Sequence, residues 1–274
     1  MKFESLGFDE DYAEQCASND FGRQVLHACS NSFHKEAGLP KPRFKKTIVE
    51  VAHQPLHEPR ESFYRKFKVA QRIAVELNAT LVWGVMDDDF FLFPGMWRGA
   101  LSNREANPRR VAFWAIPKPL KLIKYPRAKS LAEYNAFGIA RELRDRGVDA
   151  VCFQYSHLPF LSKQFNWFMD NAVAFRNAYN AGIKSLRIAG LRLLSEGELP
   201  LWKVNDDGSK EVLFEKDFPG KRIGFKAVAR DIALADFLNT HTYVSGKGAA
   251  SSYGLVTEFV RNELGLRKPT TVTV

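Results

Sequence analysis

Short apolar runs alternate with amphipathic segments along most of this chain. The segments 47–52, 81–86 and 149–153 are apolar and of strand length, with polar, Gly or Pro residues at their ends. From about Arg60 to Leu77, apolar residues recur every three or four positions, as on one face of a helix. Strands that alternate with helices are typical of an α/β fold with a largely parallel sheet.

The same patterns assign the rest of the chain. Gly147 and Gly182 each follow a predicted helix and fit C-terminal caps, and Asp207-Gly208 between two apolar runs predicts an antiparallel hairpin. The sequence therefore predicts a Rossmann-like, mostly parallel sheet flanked by helices, with one antiparallel hairpin. Further strands are predicted at 111–116, 200–204, 211–214 and 242–244, and further helices at 133–146, 165–181, 227–239 and 251–264.

The first 46 residues are predicted to form an N-terminal helical extension, with one helix at 20–34. The Gly- and Pro-rich segment 38–42 breaks the helical pattern and predicts a linker into the core. The core, at 47–274, is long enough to form one large domain, and 45% of all residues in the chain are hydrophobic.

Composition narrows the class of protein. No apolar run reaches the roughly 18 residues that a transmembrane helix needs, and the segment 1–5 lacks the apolar core of a signal peptide. Cys16, Cys29 and Cys152 are far apart and odd in number, which argues against a disulfide framework. These features predict a cytoplasmic protein without a membrane segment.

The net charge of +9 favours anionic partners such as phosphates, nucleotides and nucleic acid. Nine basic residues and a single acid, Glu105, lie between positions 98 and 129. This basic stretch has two interpretations, a surface that binds nucleic acid or a solvated basic face. Its basic residues are Arg98, Arg104, Arg109, Arg110, Lys118, Lys121, Lys124, Arg127 and Lys129.

Polar groups gather where the first predicted strand meets the first core helix. His53 and His57 can contact phosphate oxygens or transfer protons near neutral pH, and Gln54 lies between them. The N-terminus of the following helix supplies N–H groups and a positive dipole for an anion, and Lys66 on that helix can reach the same pocket. The alternative is a turn, bracketed by prolines, whose histidines only satisfy backbone groups.

Three adjacent carboxylates, Asp87-Asp88-Asp89, follow the second core strand directly. Because adjacent carboxylates repel one another, some of them must face solvent, a cation or a hydrogen-bond donor. We predict that Asp87 and Asp89 bind Mg²⁺ or the amine of a substrate. The alternative is an acidic turn that caps the next segment.

The turn Ser245-Gly246-Lys247-Gly248 lies between a short strand and the last predicted helix. Its two glycines allow backbone N–H groups to approach a phosphate closely, and Lys247 adds positive charge. We predict that these four residues cradle an anion. The alternative is a tight turn without a ligand.

These three motifs, in this order, resemble the bacillithiol-synthesis cysteine-adding enzyme family. That family's first strand ends in Gly-Gln-Gln, where this chain has the segment 53–55, and its next strand runs into Glu-Asp-His-Asp-Phe, similar to 86–90. Its Ser-Gly-x-Gly-Glu turn is similar to 245–249, and its strand-turn-strand with a central Gly resembles 199–214. The resemblance covers roughly residues 47–269.

The resemblance implies a Rossmann-like core related to the nucleotide-binding domains of class I synthetases, with ATP or another nucleotide as cofactor. It also implies a ligase or transferase that joins an amine or amino acid to an acceptor. Three positions depart from the family's motifs, since His53, Asp88 and Ala249 stand where the family has Gly, His and Glu. The chain is also shorter and has no room for the family's long coiled-coil segment.

Three hypotheses follow. The first is a nucleotide-binding ligase or transferase that acts on a small phosphorylated or amino-acid substrate. The second is a protein that binds or modifies nucleic acid through the basic stretch 98–129, and the two coincide if the acceptor is a nucleic acid. The third is a relative that kept the fold without the chemistry and serves as an interaction module. A homo-oligomer is compatible with all three.

Overall fold

A computed structural model describes residues 20–55, 59–86, 131–155, 161–188, 190–204, 210–217 and 223–274. Within these residues the helices are α1 (Asp20–Ala37), α2 (Glu61–Glu76), α3 (Leu131–Asp145), α4 (Leu161–Asp170), α5 (Ala172–Leu186), α6 (Ala227–Phe237), α7 (Lys247–Ala250) and α8 (Tyr253–Glu263). The strands are β1 (Ile48–His53), β2 (Thr80–Val85), β3 (Ala150–Gln154), β4 (Glu198–Val204), β5 (Lys210–Phe214), β6 (Ile223–Phe225), β7 (Thr242–Ser245) and β8 (Thr270–Thr273).

The larger sheet has five strands in the order β3-β2-β1-β7-β8. The pairs β1–β2, β2–β3 and β7–β8 are parallel, and helices separate the strands along the chain. A smaller antiparallel sheet has the order β5-β4-β6. The predicted Rossmann-like α/β fold is therefore confirmed, and the predicted hairpin, β4–β5, gains β6 as a third strand.

The chain divides into two compact units. The amino-terminal unit covers residues 24–158, and the carboxy-terminal unit covers 159–205 and 210–273. The helix predicted in the first 46 residues is present as α1. The division into an extension at 1–46 and a core at 47–274 stays a prediction.

The core of the amino-terminal unit is built on the parallel strands β1, β2 and β3. Val51, Trp83 and Cys152 are in register across these strands and are buried. Phe63 and Phe67, from the apolar stripe of α2, pack on Trp83 with ring centroids 6.1 and 5.6 Å from its own. Burial of each such Phe stabilises the fold by roughly 1.5–3 kcal/mol, which explains why the predicted helix forms where it does.

Helix α1 contacts β3, which is the outermost described strand of the larger sheet. The backbone N–H of Cys152 donates a hydrogen bond to Nε2 of His34 on α1, at 3.0 Å. Nδ1 of His34 donates to the carbonyl of Pro40, at 2.7 Å. Because one ring nitrogen donates and the other accepts, the imidazole is neutral, and burial lowers the pKa of His34 accordingly.

One predicted helix in the carboxy-terminal unit is wrong in its boundaries. The segment predicted as a single helix at 165–181 belongs to two helices, α4 and α5, which are separated at Asn171. Helix α5 also continues through Gly182, where the sequence predicted a cap. A Cβ at Gly182 would lie 3.0 Å from Cδ1 of Phe259 on α8. The glycine therefore permits close helix packing, and α5 ends instead at Leu186, with Arg187 as its C-cap residue at a φ of +51°.

Two other features of the carboxy-terminal unit differ from the prediction. The glycine-rich turn is partly helical, because Lys247 and Gly248 lie in the one-turn helix α7. Strand β8 follows Pro269 and consists of three Thr and one Val, so its sequence carries little apolar alternation. The predicted strand at 111–116 lies outside the described residues. None of the described helices combines the length and apolar character needed to span a bilayer.

Candidate functional site

Some of the predicted site residues lie outside the described part of the chain. These are His57, Asp87 and Asp89, together with the basic stretch 98–129. The predicted Mg²⁺ site therefore stays a prediction. Across the described ranges, no three or more His, Cys, Asp and Glu side chains are grouped so that they could hold a metal ion.

His53 is the last residue of β1, and its position is fixed by several contacts. Its backbone carbonyl accepts hydrogen bonds from the indole N–H of Trp83, at 3.1 Å, and from the backbone N–H of Met86, at 3.0 Å. Its ring packs edge-on against Phe63, in the first turn of α2, with centroids 4.7 Å apart. Nδ1 of His53 donates to the carbonyl of Gln54, at 2.8 Å. The neutral ring therefore presents Nε2 as a hydrogen-bond acceptor.

The electrostatic surroundings of His53 disfavour its protonation. Burial, and next the positive charge of Lys66, lower the pKa of His53 to about 3. Lys66 lies on α2 and is itself buried, with 5% of its surface exposed. The charge of Lys66 therefore acts on the end of β1, and its role in binding a ligand there stays a prediction.

The N-terminus of α2 completes this region. Arg60 is the N-cap residue, and its side chain makes no capping hydrogen bond. The first N–H groups of an α-helix have no partner within the helix and carry partial positive charge. A neutral imidazole, a buried ammonium and a helix N-terminus are therefore close together at the carboxyl end of β1. We call this arrangement of His53, Lys66 and the first turn of α2 the strand-end site.

A second polar pair, which the sequence did not predict, lies at the end of β3. Gln154 is in register with Val85, which is in register with His53, so these residues form a row across three parallel strands. The buried side-chain amide of Gln154 donates to Oε1 of Glu133 on α3, at 3.2 Å. A polar residue at the end of an apolar strand was the only sequence signal for this pair.

The predicted anion-binding turn lies in the carboxy-terminal unit. Ser245 ends β7 and is buried, while Gly246 is the N-cap residue of α7, with φ of −83°. Lys247 and Gly248 are exposed. The carbonyl of Gly248 accepts a hydrogen bond from the hydroxyl of Ser252, at 2.7 Å. Gly246 therefore adopts a backbone conformation that other residues also adopt, and anion binding by this turn stays a prediction.

A cluster of opposite charges, also missed by the sequence analysis, surrounds Glu198 in the carboxy-terminal unit. The buried carboxylate accepts hydrogen bonds from Arg192, Lys226, and both the backbone N–H and the hydroxyl of Ser195. Burial alone would raise the pKa of Glu198, but these hydrogen bonds outweigh it and lower the pKa to about 2. Burial lowers the pKa of Lys226 to about 8, against the raising effect of Glu198. We call these four residues the Glu198 cluster.

Comparison with known proteins identifies no family for this chain. The sequence matches no protein-family model, and it matches no curated protein. Among solved structures it is similar to the Plasmodium falciparum tryptophanyl-tRNA synthetase, at 9% identity and a TM-score of 0.40, over 83% of this chain and 51% of that one. It is also similar to a product-bound parasite tRNA synthetase, at 10% identity and a TM-score of 0.41, over 99% of this chain and 61% of that one.

This chain spans 51% and 61% of the length of these two synthetases. Identity at this level bears only on the fold, and both TM-scores are too low for the likeness to support an argument. A functional conclusion must therefore rest on the chemistry of this chain's own residues.

Proposed function

We propose that this protein is an enzyme with a nucleotide- or phosphate-binding Rossmann-like core that joins an amine or amino acid to an acceptor. ATP or another nucleotide is the proposed cofactor. The proposal includes a relationship to the bacillithiol-synthesis cysteine-adding enzymes, on the order of the motifs. It also assigns Asp87 and Asp89 to a cation or a substrate amine, and Ser245 to Gly248 to an anion.

The observation that carries the proposal is the strand-end site. The carboxyl end of the first strand and the N-terminus of the next helix form the usual place for a nucleotide's phosphates in Rossmann-like folds. Here the ammonium of Lys66 adds positive charge to the N-terminal end of the helix dipole. These features favour an anion over a cation at this position.

The low pKa of His53 has a functional meaning within this proposal. A phosphate bound near Lys66 would offset its positive charge, and an anion favours the protonated imidazole. Binding would therefore raise the pKa of His53 and convert Nε2 from an acceptor into a proton carrier. His53 is thus proposed as an acid–base group that becomes active when the anion is bound.

The test compares two lysines on the same helix. Lys66→Met removes the buried ammonium, whereas Lys68→Met removes an exposed one and serves as the control. Purified variants are titrated with ATP, with and without Mg²⁺, by thermal shift and calorimetry. We expect Lys66→Met to weaken ATP binding about tenfold or more, because a hydrogen bond to a charged group contributes about 1.5–3 kcal/mol. Lys68→Met is expected to bind as the wild type does.

A second measurement follows the imidazole itself. The NMR titration of His53 should shift to higher pH when ATP is present. The proposal is contradicted if no nucleotide stabilises the wild-type protein. Equal ATP affinity in Lys66→Met and Lys68→Met would also contradict it.

A second candidate function, nucleic-acid binding, rests on the net charge of +9 and on the nine basic residues between 98 and 129. Such binding weakens steeply as salt rises, because counterions are released from the phosphate backbone. Short DNA and RNA are therefore included in the same screen. A shift with nucleic acid alone, abolished by salt, would favour this candidate over the nucleotide-dependent enzyme.

A further inference from the structure

A cavity of about 230 Å³ lies wholly within the carboxy-terminal unit. Helices α6 and α8, strands β7 and β8, and the end of α7 supply its walls. Tyr243 and Ser245 on β7 alternate along that strand, as Thr271 and Thr273 do on β8, and Ser245 is in register with Thr273. One face of two parallel strands therefore supplies four hydroxyl groups to the cavity.

The volume limits what this cavity can hold. Pockets for drug-sized ligands measure about 300–1,000 Å³, so about 230 Å³ is small for a mononucleotide. It suits a ligand of the size of an amino acid or a short amine. Its ligand is therefore a different molecule from the nucleotide proposed for the strand-end site.

The charges on the walls narrow the ligand class further. Arg261 lines the cavity, but its guanidinium already makes an ion pair and hydrogen bonds within the protein. It pairs with Asp236, at 3.2 Å, and donates to the carbonyls of Asp231, Ile232 and Arg267. Its charge and its terminal N–H groups are therefore committed to holding α6 and α8 together.

The other charged residues on the walls are two carboxylates and one ammonium. Asp231 on α6 is buried, at 8% exposure, and its carboxylate lies 3.7 Å from Nε of Arg230. Glu258 on α8 and Lys268 before β8 are exposed. Carboxylates beside hydroxyl groups match a ligand with several N–H donors and a positive charge.

We propose that this cavity binds a small ligand with a primary ammonium group, which exposed Glu258 holds by a charge-assisted hydrogen bond. Asp231, while paired with Arg230, accepts a further hydrogen bond from the same ammonium. The hydroxyls of β7 and β8 orient the remainder of the ligand. Lys268 favours ligands that also carry a carboxylate. The inference rests on the proposed function in one respect only, since this cavity then holds the amine of that reaction and Asp87 and Asp89 are left to bind the cation.

The experiment measures binding without any nucleotide. Wild-type protein is screened by thermal shift against the twenty amino acids and straight-chain primary amines of two to six carbons, and hits are titrated by calorimetry. Each hit is compared with its N-acetyl derivative, which lacks the ammonium charge. The variants are Glu258→Gln and Asp231→Asn, with Glu263→Gln as the control because Glu263 lies on the same helix, is exposed and does not line the cavity.

We expect at least one amine to bind and its N-acetyl derivative not to bind. Glu258→Gln and Asp231→Asn should each weaken binding of the amine about tenfold, because each loses a hydrogen bond to a charged group. Glu263→Gln should bind like the wild type. Glu258→Gln changes an exposed residue and keeps the test decisive if Asp231→Asn does not fold.

The inference is overturned if no amine binds, if N-acetyl derivatives bind equally well, or if Glu258→Gln behaves like Glu263→Gln. Its failure and the failure of the proposed function are separable. Lys66→Met should retain amine binding, and Glu258→Gln should retain ATP binding, so each site is tested in a protein whose other site is intact.

Discussion

Two groups of ionisable side chains in this molecule differ in how the neighbouring charges affect their protonation. In the Glu198 cluster, Arg192 and Lys226 surround a carboxylate, and the hydrogen bonds lower the pKa of Glu198 to about 2. In the strand-end site, the positive charge of Lys66 opposes protonation of His53, whose pKa falls to about 3. In the first arrangement the neighbouring charges favour the ionised carboxylate, whereas in the second the neighbouring charge disfavours protonation of the imidazole.

This difference bears on whether each group has a structural or a functional role. A buried carboxylate that accepts hydrogen bonds from three residues needs no ligand, and removing it would leave its cations without an anion. A cation that suppresses the protonation of its neighbour instead lowers stability at acidic pH, and strongly perturbed pKa values of this kind are frequent at functional sites. The comparison therefore favours the strand-end site over the Glu198 cluster as the candidate for chemistry.

The largest expected effect is on stability in the Glu198 cluster. Glu198→Ala should lower the free energy of unfolding by about 3–5 kcal/mol, because it leaves buried or partly buried positive charge uncompensated. Urea denaturation at neutral pH measures the change. Arg176–Glu215, an ion pair in the same unit whose Glu215 side chain is 40% exposed, provides the control. Glu215→Ala should cost less than about 1 kcal/mol, and an equal loss in both variants would remove the distinction.

The next effect concerns acid stability and His53. Its folded-state pKa lies below its unfolded-state value, so the unfolded protein binds the proton first as the pH falls. Stability should therefore be lost from about pH 6.5 towards pH 3, at about 1.4 kcal/mol per pH unit for one proton. His53→Gln should have a shallower slope than the wild type in urea titrations between pH 6.5 and 4.5.

The range from pH 6.5 to 4.5 separates the titration of His53 from that of Glu198. Glu198, with a pKa lowered from 4.5 to about 2, adds its own loss of stability only below about pH 4.5. His34 also has a lowered pKa and contributes in the upper range, so His53→Gln should reduce the slope without abolishing it. Parallel curves for the wild type and His53→Gln would show that His53 does not titrate as the structure implies.

The smallest expected effect isolates the contribution of Lys66. Lys66→Met removes the positive charge near His53 and keeps a long apolar side chain, so the pKa of His53 should rise. It should stay below 6.5, because burial is the larger cause of its lowering. The ¹H–¹³C NMR signal of the imidazole, followed against pH, measures the shift. An unchanged pKa would mean that burial alone sets the protonation of His53.

Much of the amino-terminal unit could be predicted from sequence because its signals are local. The strands β1, β2 and β3 are short apolar runs, and α2 carries its apolar residues on one face, so periodicity alone places them. Lys66 lies on the helix that follows the predicted phosphate-binding turn. This position led to its inclusion in the predicted site. The sequence could not indicate that burial keeps His53 neutral, since burial depends on Phe63 and the rest of the packed unit.

The carboxy-terminal unit was harder to predict because tertiary contacts decide its details. Gly182 has the local signature of a helix cap, yet its role depends on Phe259, which is distant along the chain. The Glu198 cluster and the cavity each join residues from separate elements, and no spacing within one element reveals them. Strand β8 is rich in Thr and exposed, so it lacks the apolar pattern by which strands are recognised.

The hydrogen bond between α1 and β3 has a consequence for self-association. The outer strand of a sheet offers free N–H and carbonyl groups to which strands of other molecules can add, and this is a common route to aggregation. His34 occupies the N–H of Cys152 and so blocks one rung of such a ladder. A chain that begins at residue 47 would leave this N–H of β3 without His34. We expect this shorter chain to self-associate more readily than the full chain, because α1 blocks strand addition at the edge of β3.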